Sequence, residues 1–357
     1  MSQVNMVIKR KTRPLSIKKA ATIRQVAEMA GVSIATVSRV FAESDLVSHE
    51  LVERVQDASR SLSYQPNRIA RNLRTQKTHT AAVAVSDIEN PFFTSVIRGV
   101  ERVLRDAGYT LLLTNSDEDE QIELAHLLNL RAEGVAGVIL APTYEDAQRY
   151  EQLQQAGLVI IAIDRCPKNL KIDRVTVNNV EGAQTAVRHL VDQGHTKIGF
   201  ITGLPNISTA YERLQGFELA MKAHNLPVNP QWLQEGDFRR ENGFQAMSAI
   251  LKLEDRPTAV ISGNNLMTLG ALQAIYEWKL RIPDDMAIVG FDDMAWASSL
   301  NPPLTTIAQP TRELGAIAAQ LLLDRINDPQ RPFRHVILDT QLIVRESSGV
   351  HYAMEKS

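Results

Sequence analysis

The chain has 357 residues, of which 44% are hydrophobic and 22% charged, a balance typical of a globular protein with two or three domains. It contains no run of about 18 apolar residues and no signal-peptide-like segment, so we expect neither a membrane span nor export. The single cysteine, Cys166, excludes an intrachain disulfide. These features predict a cytoplasmic protein.

Charge is distributed unevenly along the chain. Residues 1–80 hold 14 basic and 6 acidic residues, whereas the remaining 277 hold 25 basic and 35 acidic ones. A basic head on an acidic body is typical of a nucleic-acid-binding protein, because the head must neutralise phosphates. The charge distribution alone is equally consistent with a solvated basic tail, so the residue pattern within the head has to distinguish the two interpretations.

Residues 22–41 predict two short helices joined by a glycine turn. Thr22 is suited to cap the first helix, whose apolar residues recur at helical spacing. Gly31 can adopt the positive φ that ends a helix, and Ser33 is suited to cap the second. This arrangement is that of a helix-turn-helix unit, and a third helix is predicted from Ser48.

The second helix would expose a face suited to the DNA major groove. That face holds Ile34, Ala35, Thr36, Ser38 and Arg39. Arg39 can donate two hydrogen bonds to a guanine edge, while Ile34 and Ala35 can contact thymine methyl groups. The alternative is an ordinary three-helix bundle without a DNA role.

A second basic segment follows the head. Residues 64–74 carry three arginines, no acid and one prominent apolar side chain, Leu73, which is suited to wedge between base steps in the minor groove. The alternative is an exposed interdomain linker.

The head and this segment together resemble the lactose/galactose-repressor family. The matching residues are Val26, Ala27, Ala30–Ser33, Thr36–Val40, Tyr64, Pro66–Arg68, Ala70 and Leu73. The resemblance implies that the second helix reads the major groove, and that hinge helices of two subunits fold together on DNA while Leu73 opens the central base step. The DNA-binding residues it implies are Thr22, Ser33, Ile34, Ala35, Thr36, Ser38, Arg39, Tyr64, Asn67, Arg68, Ala70 and Leu73.

Beyond the head, short apolar runs alternate with helical patterns. The runs predict parallel strands buried on both faces at Ala81–Ser86, Thr110–Thr114, Gly137–Ala141, Leu158–Ile163, Lys197–Ile201, Thr258–Ser262 and Met286–Phe291. The helical patterns between them include Phe93–Ala107, Val180–Asp192, Ala210–Ala223 and Leu266–Lys279. We therefore predict an all-α head and an α/β body of two doubly wound parallel sheets. The family resemblance implies the two-lobed fold of periplasmic sugar-binding proteins.

These patterns divide the chain into five segments. They are a basic extension over 1–20, expected to be disordered, a helix-turn-helix domain over 21–66, a hinge helix and linker over 67–79, an effector-binding and dimerisation body over 80–345, and a tail over 346–357. We expect the first lobe to comprise about 80–177 and 310–338, and the second about 178–309 and 339–345. The extension fits a phosphate-contacting arm or a plain solvated tail.

Polar and aromatic side chains follow the predicted strands, where a cleft between α/β lobes would lie. They resemble their counterparts in ribose-binding proteins and ribose-type repressors. This implies hydrogen bonds to a sugar from Asn90, Asp164, Arg165, Arg213, Asn264, Asp292 and Gln309. It also implies that Phe92, Phe93 and Phe238 enclose the sugar's C–H faces.

Structural roles fit individual cleft residues as well. Phe93 also suits a core position, Asp292 a helix cap, and Asp164 a partner for Arg165. The family usually has Asp where Asn265 stands, and Trp296 is placed to narrow the cleft. The expected effector is therefore a pentose or similar polyol rather than ribose alone.

The sequence contains few signs of metal binding or catalysis. The eight histidines show no metal-ligand spacing, and no nucleotide-binding glycine loop is present, so we expect no metal, cofactor or catalytic activity. A sugar-uptake protein would need a signal peptide, and a sugar kinase or dehydrogenase a phosphate-binding loop. We expect a nucleoid-associated homodimeric repressor whose two-fold symmetry matches a palindromic operator in double-stranded DNA.

Overall fold

The computed structural model describes residues 21–41, 47–64, 78–143 and 146–349. The predicted extension 1–20 and the tail from residue 350 onward lie outside the described residues, as do Asn67, Arg68, Ala70 and Leu73 of the predicted hinge. The chain divides into two compact units, Met1–Lys77 and Thr78–Ser357.

The described part of the first unit is a three-helix head. Its helices are α1 (Ile23–Ala30), α2 (Ile34–Val40) and α3 (His49–Ser61). Short aliphatic side chains form its core, so the helices can approach closely: Val26, Ala27, Ala30, Val37, Val40, Val55 and Ala58. The predicted helix-turn-helix and third helix are confirmed.

The predicted helix ends are also confirmed. Thr22 and Gln25 form a reciprocal capping box, and the Ser33 hydroxyl accepts a hydrogen bond from the Thr36 backbone N–H at 3.0 Å. Gly31 adopts φ +64°, and its backbone N–H bonds to the last carbonyls of α1. The Arg54 guanidinium donates to the Ala30 carbonyl at 2.7 Å, which ties α3 to the end of α1.

The second unit contains two six-stranded sheets. The first sheet has the strand order 335–338, 173–177, 160–163, 138–140, 80–85, 110–115, and the second 341–343, 305–308, 287–291, 259–262, 198–202, 233–235. The pairing is parallel within both, except between strands 305–308 and 341–343. In chain order these strands are numbered β1 to β12, so the first sheet reads β11-β5-β4-β3-β1-β2 and the second β12-β10-β9-β8-β6-β7. The predicted class of two doubly wound parallel sheets is confirmed.

We call the first sheet with its helices the first lobe. In chain order it contains β1 (Thr80–Val85), α4 (Pro91–Asp106), β2 (Thr110–Asn115), α5 (Glu120–Ala132), β3 (Val138–Leu140), α6 (Ala147–Gln155), β4 (Ile160–Ile163) and β5 (Asp173–Val177). Two later elements return to it, α11 (Thr311–Asn327), which packs against α4, and β11 (His335–Leu338).

The second lobe contains the other sheet. Its elements are α7 (Asn179–Asp192), β6 (Ile198–Thr202), α8 (Ser208–Ala223), β7 (Leu233–Glu235), α9 (Arg240–Leu251), β8 (Ala259–Ser262), α10 (Asn265–Glu277), β9 (Ala287–Phe291), β10 (Thr305–Ala308) and β12 (Gln341–Ile343). Three short 3₁₀ turns complete the described elements: Pro230–Trp232, Ala297–Ser299 and Glu346–Ser348.

The chain passes between the lobes three times, after β5, after β10 and between β11 and β12. These crossings bring the carboxyl ends of the strands in both sheets to one interlobe cleft, the place where open α/β sheets bind ligands.

The seven predicted strands are all present, with ends shifted by at most two residues. The prediction that all seven are buried on both faces is wrong for β2, which lies at the edge of its sheet and exposes Leu112 and Leu113. Five further strands of the described chain (β5, β7, β10, β11 and β12) were not predicted. All five contain partly exposed residues, so they lack the continuous apolar run of a strand buried on both faces.

Candidate functional site

The outer face of α2 carries exposed side chains above the buried Val37 and Val40. Ser33, Ile34, Ala35 and Arg39 are exposed, and Thr36 and Ser38 are partly so. Arg39 makes no ion pair with any described acid, so its guanidinium is free to donate to another molecule. Thr22 is exposed in its cap, while Tyr64 packs against Phe41 with ring centroids 5.9 Å apart.

In the second unit, a small cavity of about 40 Å³ lies between the two lobes. All ten residues expected from sequence to bind an effector line it: Asn90, Phe92, Phe93, Asp164, Arg165, Arg213, Phe238, Asn264, Asp292 and Gln309. We call this cavity the cleft. Its volume holds only about three water molecules, so the lobes are closed on each other.

Local backbone geometry aims several of these side chains inward. Asp164 and Asp292 directly follow β4 and β9, and both adopt positive φ values, +65° and +74°. This region is uncommon for residues other than glycine and concentrates at functional sites. Phe238 also has a positive φ, +68°, and its ring lies so close to Gly203 that a Cβ there would be 2.0 Å away. Gly203 is therefore required for the position of Phe238.

Arg213 is the most firmly held cation of the cleft. It projects from α8, its Nε donates to Asn179 Oδ1 at 2.8 Å and its Nη1 to the Gly263 carbonyl at 2.6 Å. The guanidinium carbon lies 3.9 Å from the centroid of the Phe291 ring. These contacts fix the side chain while leaving Nη2 for a ligand.

Arg165 is paired differently from the sequence-based alternative. Its Nη2 donates to Glu118 Oε2 at 2.6 Å, and not to Asp164, which precedes it in the chain. Glu118 lies in the loop after β2 with φ +59°, a position that sequence patterns did not mark. The carboxylate of Asp164 is thereby left available to a ligand.

The remaining polar residues of the cleft also cap helices or hydrogen-bond to each other. Asn90 caps α4 by accepting from the Phe92 N–H at 2.9 Å, and Asn264 caps α10 by accepting from the Met267 N–H at 2.8 Å. Gln309 donates to Asp292 Oδ1. Of the structural roles considered from sequence, the core position of Phe93 is confirmed and coexists with its place in the cleft lining. Asp292 is not the N-cap of any described helix, and Asp164 is not the hydrogen-bond partner of Arg165.

Among the described residues, two hydrogen-bonded contacts join the lobes across the cleft. Asn265 Nδ2 in the second lobe donates to Asn90 Oδ1 in the first at 2.8 Å. At the rim, Arg239 Nη2 donates to Asp117 Oδ1 at 3.0 Å and to the Asp117 carbonyl at 3.2 Å. Trp296 packs against the second lobe's core and is not part of the cleft lining, so it does not narrow the cleft.

Burial perturbs the acid–base behaviour of the cleft. Asp164 keeps some exposed surface because it also borders a wider cavity, yet desolvation raises its pKa to about 6 against the opposing effect of Arg165 and Arg213. Desolvation likewise raises the pKa of Asp292 and lowers that of Arg213. Each of these shifts disfavours the charged form of the residue.

Several buried polar atoms around the cleft have no hydrogen-bond partner among the described residues. They are Ser86 Oγ, Arg165 Nε, Asn265 Oδ1 and Gln309 Oε1. Leaving such an atom unsatisfied costs about 1–3 kcal/mol, and a ligand hydroxyl that reached it would remove that cost. The set offers both donors and acceptors, which suits hydroxyls.

The cleft lining includes residues that sequence reasoning missed. They are Ser86, Asp87, Glu118, Thr209, Asp237 and Arg239. Ser86 and Asp87 directly follow β1, so the rule that ligands contact strand ends would have found them. The other four depend on loops and on a helix whose orientation only the tertiary structure defines.

The described residues hold no group of three or more His, Cys, Asp or Glu side chains arranged to bind a metal ion. Within the same residues, no helix is long and apolar enough to cross a membrane.

Each of the two units matches a known protein family. Residues 22–67 match the family described as bacterial regulatory proteins, lacI family, and residues 187–348 match a periplasmic binding protein-like domain. The chain is 37% identical to the ribose operon repressor of Escherichia coli K12 over 92% of this chain and all of that protein. It is 38% identical to the transcriptional repressor PurR of Mannheimia succiniciproducens over 92% of this chain and 98% of the relative.

Solved structures give the same result. The lac repressor dimer bound to operator and the anti-inducer ONPF superposes with a TM-score of 0.82 at 28% identity, covering 92% of this chain and 99% of that one. A LacI-family regulator from Enterococcus faecium with bound ribose has a TM-score of 0.68 at 30% identity, covering 75% and 98%.

Proposed function

The chain belongs to the LacI family of bacterial regulatory proteins, and from this premise we propose that it acts as a dimer on a palindromic operator under the control of a small neutral sugar, with a ribose-like pentose favoured. As its relatives are transcriptional repressors, the chain is a repressor controlled by a small molecule and not an enzyme. Its place of action follows from its DNA partner, the nucleoid in the cytoplasm.

The observation that carries the effector proposal is the charge balance of the cleft. Arg165 and Arg213 face Asp164 and Asp292, and Arg165 is further neutralised by Glu118. A lining without a surplus of positive charge favours a neutral ligand over an anionic one, since an uncompensated buried charge is costly. Four unsatisfied donors and acceptors then favour a polyhydroxylated ligand.

The size of the ligand is supported by the same geometry. Phe92 and Phe93 lie edge to face at 5.1 Å in the first lobe, and Phe238 faces the cleft from the second. The closed cleft of about 40 Å³ must open slightly even for a pentose, and more for each additional ring. A single small sugar ring is therefore favoured over a disaccharide.

DNA binding is proposed for the outer face of α2. Its exposed Arg39, Ile34 and Ala35 provide one bidentate donor and two apolar contacts, the combination that reads guanine and thymine in the major groove. Thr22, Ser33, Thr36, Ser38 and Tyr64 are proposed to contact DNA beside them, with Asn67, Arg68, Ala70 and Leu73 of the hinge acting in the minor groove.

Dimerisation is supported by an exposed apolar face on the first lobe. The edge strand β2 exposes Leu112 and Leu113, and the following helix α5 exposes Ile122 and Leu128. An unpaired strand edge with neighbouring exposed leucines favours association with a second copy. Two copies would carry two heads, which is what a palindromic operator requires.

A single experiment tests the effector class. Thermal unfolding of the full chain is measured with ribose, other pentoses, hexoses, cellobiose and purines, each at several concentrations, because a ligand that binds only the folded state raises the melting temperature. We expect the largest shift with a pentose, and a change of operator affinity with the same compound. A purine as the most stabilising compound would contradict the polyol proposal, and Arg213→Ala serves as the control without a functional cleft.

A further inference from the structure

A second and far larger cavity lies beside the cleft. Its volume is about 810 Å³, within the range of about 300–1,000 Å³ usual for small-molecule sites. The loop after β4 in the first lobe and the start of α8 in the second form two of its walls, and Asp164 and Arg165 line both cavities. We call this cavity the side chamber.

Two cations of the side chamber lack an acidic partner. Lys168 and Arg174 line it, and neither forms an ion pair with any described carboxylate. The lining acids are engaged elsewhere: Glu212 accepts from Asn179 Nδ2 at 2.8 Å, and Asp164 faces Arg165 and Arg213. Lys168 and Arg174 are therefore without an ion-pair partner among the described residues, on a lining that also carries the carboxylates of Asp164 and Glu212.

His335 also lines the side chamber but adds no charge to it. Its Nε2 lies 2.9 Å from the Thr176 hydroxyl, and burial together with the nearby Arg174 lowers its pKa, so the imidazole is neutral near pH 7. The nearest polar contact of Arg174 is the Cys166 sulfur at 3.8 Å, a weak acceptor. Arg174 thus retains most of its donor capacity.

The start of α8 opens onto the same cavity. Unlike α7 and α10, which are capped by Asn178 and Asn264, this 16-residue helix has Ile207 at its N-cap, without a side-chain cap and without an acidic residue in its first turn. Its first backbone N–H groups therefore remain available to an anion. The Lys168 ammonium lies 5.2 Å from the ring centroid of Tyr211, which belongs to that first turn.

Arg165 has an unsatisfied donor at the border of the two cavities. Its side chain is 5% exposed, it lines the side chamber, and its Nε has no partner among the described residues. Buried guanidinium donors are normally satisfied, so an acceptor is expected at the border between the two cavities.

We propose that the side chamber binds a phosphate group, either free beside a neutral sugar or carried by the effector, held by Lys168, Arg174 and the start of α8. This inference rests on the function proposed above, because it adds an anion subsite to the sugar cleft. Lys168 belongs to the first lobe and α8 to the second, so a bound phosphate contacts both lobes and favours their closed arrangement.

The phosphate has two possible sources, which titration calorimetry on the full chain distinguishes. Ribose, ribose 5-phosphate, inorganic phosphate, and ribose in the presence of inorganic phosphate are titrated at one ionic strength, balanced with chloride. If the group belongs to the effector, ribose 5-phosphate binds about tenfold or more tightly than ribose. If a separate ion binds, inorganic phosphate raises ribose affinity by a similar factor.

Matched lysine variants test the location. Lys168→Ala should abolish the gain from phosphate and leave ribose affinity unchanged, while Lys171→Ala, an exposed lysine of the same loop that does not line the side chamber, should keep the gain. Arg174→Gln should reduce the gain in the same way as Lys168→Ala.

The outcomes separate the two proposals. Ribose binding that no source of phosphate alters overturns the anion subsite and leaves the sugar cleft intact, as does an equal loss in both lysine variants. If ribose does not bind at all, the pentose proposal fails. The anion subsite is then supported if inorganic phosphate alone stabilises the chain in a Lys168-dependent way, and overturned if it does not.

Discussion

Arg39 in the head and Arg213 in the body show how differently the two units use one side chain. Arg39 is exposed on α2 and has no described acidic partner. Arg213 is 4% exposed and held by Asn179, the Gly263 carbonyl and the Phe291 ring. The Arg39 guanidinium is therefore exposed to solvent, whereas the Arg213 guanidinium is fixed by hydrogen bonds inside the protein.

The difference follows from the partner of each unit. Operator DNA is a polyanion that attracts exposed cations over a distance and whose base edges an exposed arginine must reach. A small neutral sugar offers no such attraction, so its site must be prearranged, with buried groups whose hydrogen bonds the ligand completes. Substitutions should therefore affect stability and binding together in the cleft, and binding alone at exposed, unpaired residues on the outer face of α2.

The largest effect is expected for Arg213→Ala. It removes several charge-assisted contacts and leaves Asn179 Oδ1 and the Gly263 carbonyl without their donor, so effector affinity should fall by about 100-fold or more. Calorimetry measures the affinity and chemical denaturation the accompanying loss of stability. Arg188→Ala, an exposed arginine of the same lobe, is the control, and an unchanged effector response in Arg213→Ala would show that the cleft is misplaced.

Arg39→Ala should lower affinity for the operator by about 10- to 100-fold, because one bidentate base contact is worth about 1–3 kcal/mol. The free energy of unfolding should change by less than about 0.5 kcal/mol, since the side chain is exposed and unpaired. Gel-shift titrations with operator and with unrelated DNA measure the change, with Arg60→Ala on α3 as the control. Equal weakening on both DNAs would instead indicate a phosphate contact.

Effector affinity should fall about tenfold between pH 7 and pH 5. The pKa of Asp164 is raised to about 6 from an ordinary 3.8, so below pH 6 the folded protein protonates this acceptor and loses a hydrogen bond to the ligand. The stability of the effector-free protein should respond in the opposite sense. The contribution of Asp164 is fully present below pH 3.8 and is lost as the pH rises through 6.

Titration calorimetry at several pH values measures this dependence. Asp164→Asn is the matched variant, and it should bind more weakly at pH 7 and lose most of the dependence. A profile that is the same in both proteins would exclude Asp164 as the titrating acceptor and leave Asp292, whose pKa burial also raises.

The smallest effect is expected for Thr22→Ala. Loss of the capping box with Gln25 should destabilise α1 by about 1 kcal/mol without altering the cleft. Hydrogen exchange of the α1 amides in the full chain measures the change, and Thr22→Ser should retain protection. If effector affinity fell as well, the head and the cleft would not be the independent surfaces compared above.

How much the sequence predicted depended on the range of the interactions. The cap of Thr22, the turn at Gly31 and the strands buried on both faces all depend on neighbours a few residues apart, so spacing and residue type predicted them. The edge strands β11 and β12 were not predicted because part of the surface of each is exposed. Their pairing with β5 and β10 also joins segments that are distant in the chain.

For the candidate site, the sequence by itself determined which polar and aromatic side chains follow each strand, because the parallel sheet places strand ends at one edge. Only the tertiary structure decided their partners. Arg165 bonds to Glu118, 47 residues away, rather than to its neighbour Asp164, and Asn265 bonds to Asn90 across 175 residues. The side chamber likewise exists only because two lobes enclose it. Contacts between distant segments depend on how loops and lobes pack, and the spacing of residues in the sequence does not determine that packing.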